Sequence, residues 1–225
     1  MIPADLHYFP HNSNQPRRYE LCRSFVTSPV FARPDGIQRK EAFFPLSGEY
    51  SGREEAKELI GTTSKNIFDF GEDAGAANVV KLCGNFLIAS SIESMSEALA
   101  LAESNGLDRV QVMKMLNSTI FDCLIYKGYG QRVSERDHIP GGFSLQLGGK
   151  DVSLVLRDAS KQRVAMPFAS VLRDRFLSAE AKGRSQLDWS AIGLSSSEDA
   201  GVDISQALVE NLKAVEAAKQ GNDNK

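Results

Sequence analysis

Two polar residues within an apolar stretch are of types that could carry out proton transfer. Lys81 and Asn85 lie four residues apart, so on a helix they share one face, one turn from each other. An amine among apolar neighbours loses solvation, which lowers its pKa and lets it exchange protons near neutral pH. An asparagine side chain both donates and accepts hydrogen bonds, which suits it to hold a hydroxyl or a carboxylate. Spacing alone leaves a structural alternative open, a snorkelling lysine and a capping or core asparagine.

Two further motifs carry candidate residues. Before Lys150-Asp151, the pair Gly148-Gly149 predicts either a loose turn or a close backbone approach, and a solvated helix start is the structural alternative for Lys150-Asp151. Residues 28–34 contain two prolines and therefore predict a stiff loop. Arg33 in that loop has the geometry to bind a carboxylate through two hydrogen bonds, although a lone arginine is more often a surface residue.

The pattern upstream of these residues predicts a small α/β segment. Short apolar runs predict strands near residues 25–31, 41–46 and 66–70, with a helix over 53–60. Pro45 should confine the second strand to an edge or an end, and the alternation in the third indicates a half-buried strand. Strand, helix and strand in this order are too few for a complete doubly wound domain.

From residue 73 onward the pattern is helical. No proline interrupts residues 73–105, and Gly106 is a natural stop. Apolar residues cover more than one face of this stretch, which predicts a buried central helix. Further helices are predicted over 108–116, 121–133 with a break at Gly128 and Gly130, 145–162, 168–182 and 203–219. The fold class is therefore mainly α, with an irregular segment at 1–24, a truncated α/β segment at 25–70, a helical domain at 71–219 and a polar tail at 220–225.

Composition limits the function classes. A net charge of -3 gives no support to nucleic-acid binding, and no apolar run is long enough to cross a bilayer. We therefore expect a soluble, cytoplasmic protein without nucleic-acid or membrane partners. There is no P-loop and no nucleophile-elbow serine. Neither the cysteines nor the histidines have metal-ligand spacing, and the cysteines are typical of reduced thiols: Cys22, Cys83, Cys123, His7, His11 and His138.

Several motifs in a fixed order resemble the β-hydroxyacid dehydrogenase family, which includes 3-hydroxyisobutyrate dehydrogenase and, more distantly, 6-phosphogluconate dehydrogenase. The resemblance extends over about residues 27–192. Its motifs are residues 71–85, Ser96-Glu97-Ala98, Gly106-Leu107-Asp108, Gly142-Phe143, Lys150-Asp151-Val152, Met166-Pro167 and Asp188-Trp189-Ser190-Ala191.

The resemblance implies a helical domain similar to the C-terminal domain of 6-phosphogluconate dehydrogenase, built around one long helix. It implies an oxidoreductase that uses NAD or NADP on a small hydroxy acid or its carbonyl form, and a homodimer. Lys81 matches the catalytic lysine that exchanges a proton with the substrate hydroxyl, and Asn85 matches the asparagine that orients the substrate. Lys150 and Phe143 match the nicotinamide end of the cofactor site. The substrate loop corresponds to Ser28, Phe31, Ala32 and Arg33.

The sequence departs from the family at two places. The loop lacks the usual glycines, because it reads Phe31-Ala32-Arg33, and residues 1–24 contain no glycine-rich turn for a pyrophosphate. We expect cofactor binding to be weakened for that reason. Two hypotheses follow: an NAD(P)-dependent oxidoreductase with an intact Lys81 site, or a non-catalytic, truncated helical module that acts in dimerisation.

Overall fold

A computed structural model describes residues 24–32 and 34–223 of the chain. These residues form two compact units, one up to Val79 and the other from Val80. The irregular segment predicted for residues 1–24 lies outside the described residues except for Ser24, as do Cys22, His7 and His11.

The first unit is a small three-stranded sheet with two helices. Strand order is β1-β2-β3; β1 pairs antiparallel with β2, and β2 pairs parallel with β3. The elements are β1 (Val26–Thr27), α1 (Pro34–Gln38), β2 (Ala42–Gly48), α2 (Tyr50–Gly61) and β3 (Ser64–Asp69). Strand, helix and strand follow one another as predicted.

The prediction that Pro45 confines its strand to an edge was wrong, because β2 is the central strand. Phe43 exchanges both backbone hydrogen bonds with Phe31, while β1 pairs only with Ser47 and Gly48. Since the residues of a strand alternate in direction, the nitrogen of Pro45 faces the interval between these two pairings. No ladder hydrogen bond is lost there, and the Pro45 carbonyl accepts a hydrogen bond from the Ser28 hydroxyl at 3.2 Å.

The long helix α3 (Ala76–Ser104) follows the first sheet and ends before Gly106, whose φ is +76°. The predicted helix and its stop are confirmed. The prediction that this helix is buried on nearly all sides was wrong. One face packs into the core through Ala89, Ile92, Met95 and Leu99, whereas another face is exposed to solvent. Leu87 and Leu101 are 63% and 68% exposed.

Shorter helices complete the second unit, which makes the chain mainly α. Asp108 caps α4 by accepting from the backbone N–H groups of Val110 and Gln111. The predicted break at Gly128 and Gly130 is absent, because α5 is continuous. The elements are α4 (Arg109–Asn117), α5 (Leu124–Glu135), α6 (Leu145–Gln162), α7 (Pro167–Ala181), a 3-10 helix (Trp189–Ile192), α8 (Gly193–Asp199) and α9 (Ser205–Asp223).

Trp189 lies at the centre of the core of the second unit and is 2% exposed. The rings of Phe143 and Tyr129 approach it edge-on, with centroid distances of 5.0 and 5.8 Å. Leu145, Leu172 and Phe176 from α6 and α7 pack in the same cluster. Among the described helices, none combines the length and the hydropathy needed to cross a bilayer.

Candidate active site

Helix α3 presents Lys81 and Asn85 one turn apart, as predicted. Its first turn is held by Ser47 of β2, whose hydroxyl accepts from the Ala77 N–H at 3.0 Å and donates to the Ala74 carbonyl at 3.2 Å. Because these bonds satisfy backbone groups at the helix start, the register of the helix is fixed shortly before Lys81.

A buried hydrogen bond connects α3 to α6. The Asn85 side-chain nitrogen donates to Oδ2 of Asp151 at 2.6 Å, and the two residues are only 4% and 8% exposed. The other carboxylate oxygen, Oδ1, is 3.1 Å from the ammonium of Lys150, whose side chain is 58% exposed. The two motifs, one on each helix, therefore meet at the Asp151 carboxylate.

Burial lowers the pKa of Lys81, and the negative charge of Asp151 opposes part of that decrease. The net decrease brings the pKa of Lys81 closer to neutral pH, which favours its use as an acid or base catalyst. The site thus combines an amine that can transfer a proton, an amide of fixed orientation and, at the surface, a cation at Lys150.

Asp151 was not among the site residues predicted from the sequence. The motif Lys150-Asp151 drew attention to the lysine, and the structural alternative placed Asp151 at a solvated helix start. In the structure Asp151 lies in the second turn of α6, turned into the protein. A buried carboxylate one residue after an exposed lysine follows from helical geometry, since neighbours point about 100° apart.

The glycine pair before Lys150 allows a close approach rather than a loose turn, because α6 runs through it without interruption. A Cβ atom on Gly148 would lie 2.7 Å from the Phe176 ring and 2.9 Å from Trp189. The glycine lets α7 and the tryptophan pack directly on the helix backbone and so positions the turn that carries Asp151.

The other predicted residues are located as follows. Phe143 precedes the α6 N-cap Ser144 and packs against Trp189. In the first unit, Ser28 donates to Pro45, Phe31 pairs with Phe43, and Ala32 is exposed. Arg33 lies outside the described residues. Within the described part of the chain, no group of three or more His, Cys, Asp or Glu side chains is arranged to hold a metal ion.

Comparison with known proteins identifies the family. Residues 75–194 match the family described as the NAD-binding domain of NADP-dependent 3-hydroxyisobutyrate dehydrogenase. The chain belongs to this β-hydroxyacid dehydrogenase family. The matched region contains Lys81, Asn85, Phe143, Lys150 and Asp151, and the cofactor class of such a domain is NAD or NADP.

Individual relatives belong to the same class of oxidoreductases, and a solved structure shares the fold. An uncharacterized oxidoreductase of Bacillus subtilis, YfjR, is 33% identical over 77% of this chain and 60% of its own length. The 2-hydroxy-3-oxopropionate reductase of Escherichia coli is 30% identical over 77% of this chain and 59% of its own. A 3-hydroxyisobutyrate dehydrogenase structure from Salmonella typhimurium shares the fold at 23% identity, with a TM-score of 0.70 over 76% of this chain and 59% of that one. The chain thus spans about 60% of the length of the relatives it matches.

Two of the family motifs outside the site serve packing and capping in this β-hydroxyacid dehydrogenase domain. Ser96 is 1% exposed, and a Cβ on Gly193 would lie 2.3 Å from its hydroxyl, so the Ser96 motif forms a tight contact between α3 and α8. Asp188 accepts from the Ser190 N–H at 3.1 Å and caps the 3-10 helix that contains Trp189.

Proposed function

We propose that this chain is an NAD(P)-dependent oxidoreductase that interconverts a small hydroxy acid and its carbonyl form. The observation that carries the proposal is the buried Asn85–Asp151 hydrogen bond one helical turn from Lys81, whose pKa is lowered. The known relatives whose names state a reaction act on small hydroxy acids or aldehydes, such as 3-hydroxyisobutyrate and 2-hydroxy-3-oxopropionate.

In the oxidation direction, the neutral amine of Lys81 accepts the proton of the substrate hydroxyl while the carbonyl bond forms. When bound, the nicotinamide cofactor supplies the hydride acceptor for the hydrogen on the same carbon. In reduction the lysine ammonium returns the proton to the carbonyl oxygen. The lowered pKa favours the oxidation direction, because it increases the fraction of the neutral amine at a given pH.

Asn85 and Asp151 orient the substrate in this proposal. Because the carboxylate of Asp151 accepts from the amide nitrogen, the amide oxygen of Asn85 is directed away from it and can accept from a substrate hydroxyl. Asp151 contacts no reacting atom in this scheme and is therefore a positioning residue. Its charge also keeps Lys81 from losing its proton too readily.

Lys150 has the properties needed beside an anionic cofactor. Its side chain is more than half exposed, so its ammonium can donate to a ligand oxygen besides Asp151. Phe143, one residue before the N-cap of α6, supplies an apolar ring in the same segment.

We propose the loop with Ser28, Phe31, Ala32 and Arg33 as the substrate loop. The division into an α/β segment at 25–70 and a helical domain at 71–219 likewise stays a proposal.

The test is a reductase assay with the full chain. A panel of small semialdehydes and 2-oxo acids is offered with NADH or NADPH, and oxidation of the nicotinamide is followed by its absorbance. We expect Lys81→Ala to lose about two to four orders of magnitude in kcat while the Kd for the cofactor is unchanged. Lys114→Ala, an exposed lysine of α4, is the matched control and should keep the wild-type rate. Equal rates in the two variants would reject Lys81 as the proton donor.

A second candidate function is a non-catalytic helical module that dimerises. The exposed stripe of α3 favours it, because Leu87 and Leu101 lie two heptads apart on one face. We propose a homodimer through this stripe under either function. Sedimentation of Leu101→Glu should give a monomer where the wild type gives a dimer. A dimer that binds neither NADH nor NADPH would favour the second function.

A cytoplasmic location is also proposed. Cys83 and Cys123 are exposed free thiols, which are typical of a reducing compartment. Labelling of both thiols in intact cells without prior reduction supports the proposal, and a mixed disulfide at either position would contradict it.

A further inference from the structure

A groove of about 270 Å³ lies between α6 and α7, on a different face of α6 from Asn85 and its partner Asp151. Phe176, which is 1% exposed, and the more exposed Leu177 contribute its apolar lining from α7. Gln146, Gly149, Lys150 and Ser153 contribute the wall from α6.

The groove exists because Gly149 has no side chain. A Cβ at this position would lie 2.8 Å from Oε1 of Glu180 and 3.3 Å from Cβ of Phe176. The glycine therefore lets the Glu180 carboxylate lie over α6 at one end of the groove, with the phenylalanine beneath. Nothing in the oxidoreductase mechanism uses this carboxylate.

The charges along the α7 side of the groove follow a simple order. Arg173 lies at one end, Phe176 and Leu177 in the middle and Glu180 at the other end, at helical spacings that place all four on one stripe. Arg173 and Glu180 are separated by two turns, or about 10 Å along the axis. The groove thus presents a cation and an anion at opposite ends of an apolar floor.

Arg173 can exchange its present partner, Asp174, for a ligand at little cost in free energy. Its guanidinium hydrogen-bonds Asp174, the next residue, at 2.9 Å, and the two side chains are 47% and 67% exposed. Exposed ion pairs of this kind contribute little free energy, so a ligand carboxylate that approaches within the groove competes easily.

We propose that this groove binds a linear ω-amino acid of about five carbons, with its ammonium at Glu180 and its carboxylate at Arg173. The extended chain spans roughly 6 Å between its two charged ends, at about 1.25 Å for each bond along the axis. With a charge-assisted hydrogen bond of about 2.8 Å at each end, the ligand extends over about 12 Å, which is close to the separation of about 10 Å between the two residue positions along the helix axis. The methylenes lie on Phe176 and Leu177, which supply the apolar contact.

Lys150 connects this ligand to the candidate active site. The same ammonium lines the groove and forms the ion pair with Asp151, which holds Asn85. A ligand in the groove therefore acts as an effector, and any change that it makes in cofactor affinity must be matched by an equal change in its own affinity. Binding itself does not depend on the proposed oxidoreductase activity.

The test is calorimetric titration of the full chain with 5-aminopentanoate. We expect saturable one-site binding with a Kd on the order of 1 mM, as suits a ligand of this size. Three matched probes separate the contributions: pentanoate lacks the ammonium, pentylamine lacks the carboxylate, and L-norvaline is an isomer whose charges are adjacent. Each should bind at least about tenfold more weakly. Equal affinity for all four compounds, or no saturable binding of 5-aminopentanoate, would overturn the proposal.

Variants locate the site. Glu180→Gln and Arg173→Ala should each weaken 5-aminopentanoate at least about tenfold, whereas Glu216→Gln and Lys213→Ala, exposed positions of α9, should bind like the wild type. Circular dichroism confirms that each variant is folded. Wild-type affinity in both Glu180→Gln and Arg173→Ala would show that the ligand binds elsewhere and would refute the groove.

Discussion

Asn85 donates a 2.6 Å hydrogen bond to Asp151, a residue sixty-six positions later in the chain. The bond is buried at both ends, so water does not compete for either group. The bond orients the Asn85 amide, because its nitrogen is turned toward Asp151 and its oxygen is therefore directed away from it. The sequence left both a substrate-binding and a structural role open for Asn85, and the structure shows that its amide nitrogen is bonded to Asp151.

The Asp151→Asn variant tests the electrostatic part of this arrangement. The carboxylate raises the pKa of Lys81 against the stronger effect of burial, so its removal should lower that pKa further. The acidic limb of the pH–rate profile for oxidation, where the Lys81 amine must lose its proton, should move to lower pH. The value of kcat should fall about tenfold to a hundredfold as Asn85 loses a charged acceptor.

The control is Asp158→Asn, a carboxylate two turns further along α6. It should leave the profile unchanged. NMR titration of the Lys81 Nζ signals gives the same information without turnover. A shift of the Lys81 titration to higher pH in Asp151→Asn would contradict the assigned sign.

Gly148→Ala should strongly destabilise the second unit. The new methyl group would meet two large buried rings, neither of which can move without opening the core. We expect a loss of about 2–3 kcal/mol in the free energy of unfolding, measured with denaturant. Gly128→Ala is the matched control, because a Cβ on that helical glycine would meet nothing within 4 Å, and the change should stabilise by about 0.5–1 kcal/mol.

Arg175→Ala should lower the free energy of unfolding, because it leaves a buried carboxylate without its partner. Glu93 is fully buried, and its Oε1 is held by Arg175 at 2.6 Å, while the same arginine also pairs with Asp199. Without the arginine the charge of Glu93 has lost its partner, and we expect a loss of about 3 kcal/mol at neutral pH. The control Arg173→Ala removes an exposed arginine of the same helix and should cost under about 1 kcal/mol.

The pH dependence of that loss has a definite sign. Burial already raises the pKa of Glu93, and Arg175 opposes the increase. Since the folded state then holds the proton more tightly than the unfolded state, stability falls as pH rises above the ordinary glutamate pKa. Arg175→Ala raises the pKa further, so its destabilisation should be smaller at pH near 5 than at neutral pH. A loss that is equal at both values would refute this account.

His138 should make the protein sensitive to acid. Complete burial and neighbouring arginines lower its pKa from 6.5 to about 3, and its Nδ1 lies 2.8 Å from the Ser190 hydroxyl. Between pH 6.5 and about 3, His138 is protonated in the unfolded state but stays neutral in the folded state. Stability should therefore fall by about 1.4 kcal/mol for each pH unit between these limits.

Two variants distinguish this ionisation from lost packing. His138→Gln should lower stability at neutral pH but remove the contribution of the histidine to the slope. Ser190→Ala deletes the hydrogen-bond partner and keeps the imidazole, so the slope should persist. Denaturant unfolding at several pH values measures both, and an unchanged slope in His138→Gln would reject the assignment.

Local signals in the sequence predicted the helices well. Gly106 and Asp108 mark an end and a start through backbone conformation and capping, which depend on single residues. The central position of β2 was missed because it depends on what lies opposite Pro45 in the fold. The partner of Asn85 was missed for the same reason: nothing local to either residue indicates that α3 and α6 bring them within hydrogen-bond distance. Exposure of Leu87 likewise depends on which neighbours α3 has.

Trp189 is the only tryptophan of the 225 residues, and it is buried against Phe143 and Tyr129. The chain therefore carries a single indole, which can be excited selectively over the tyrosines and whose emission reports on one known environment. Its spectrum should shift to the red on unfolding, with no other indole to obscure the transition. Energy transfer from it to a reduced nicotinamide near Phe143 would give a direct optical signal for cofactor binding, without any label.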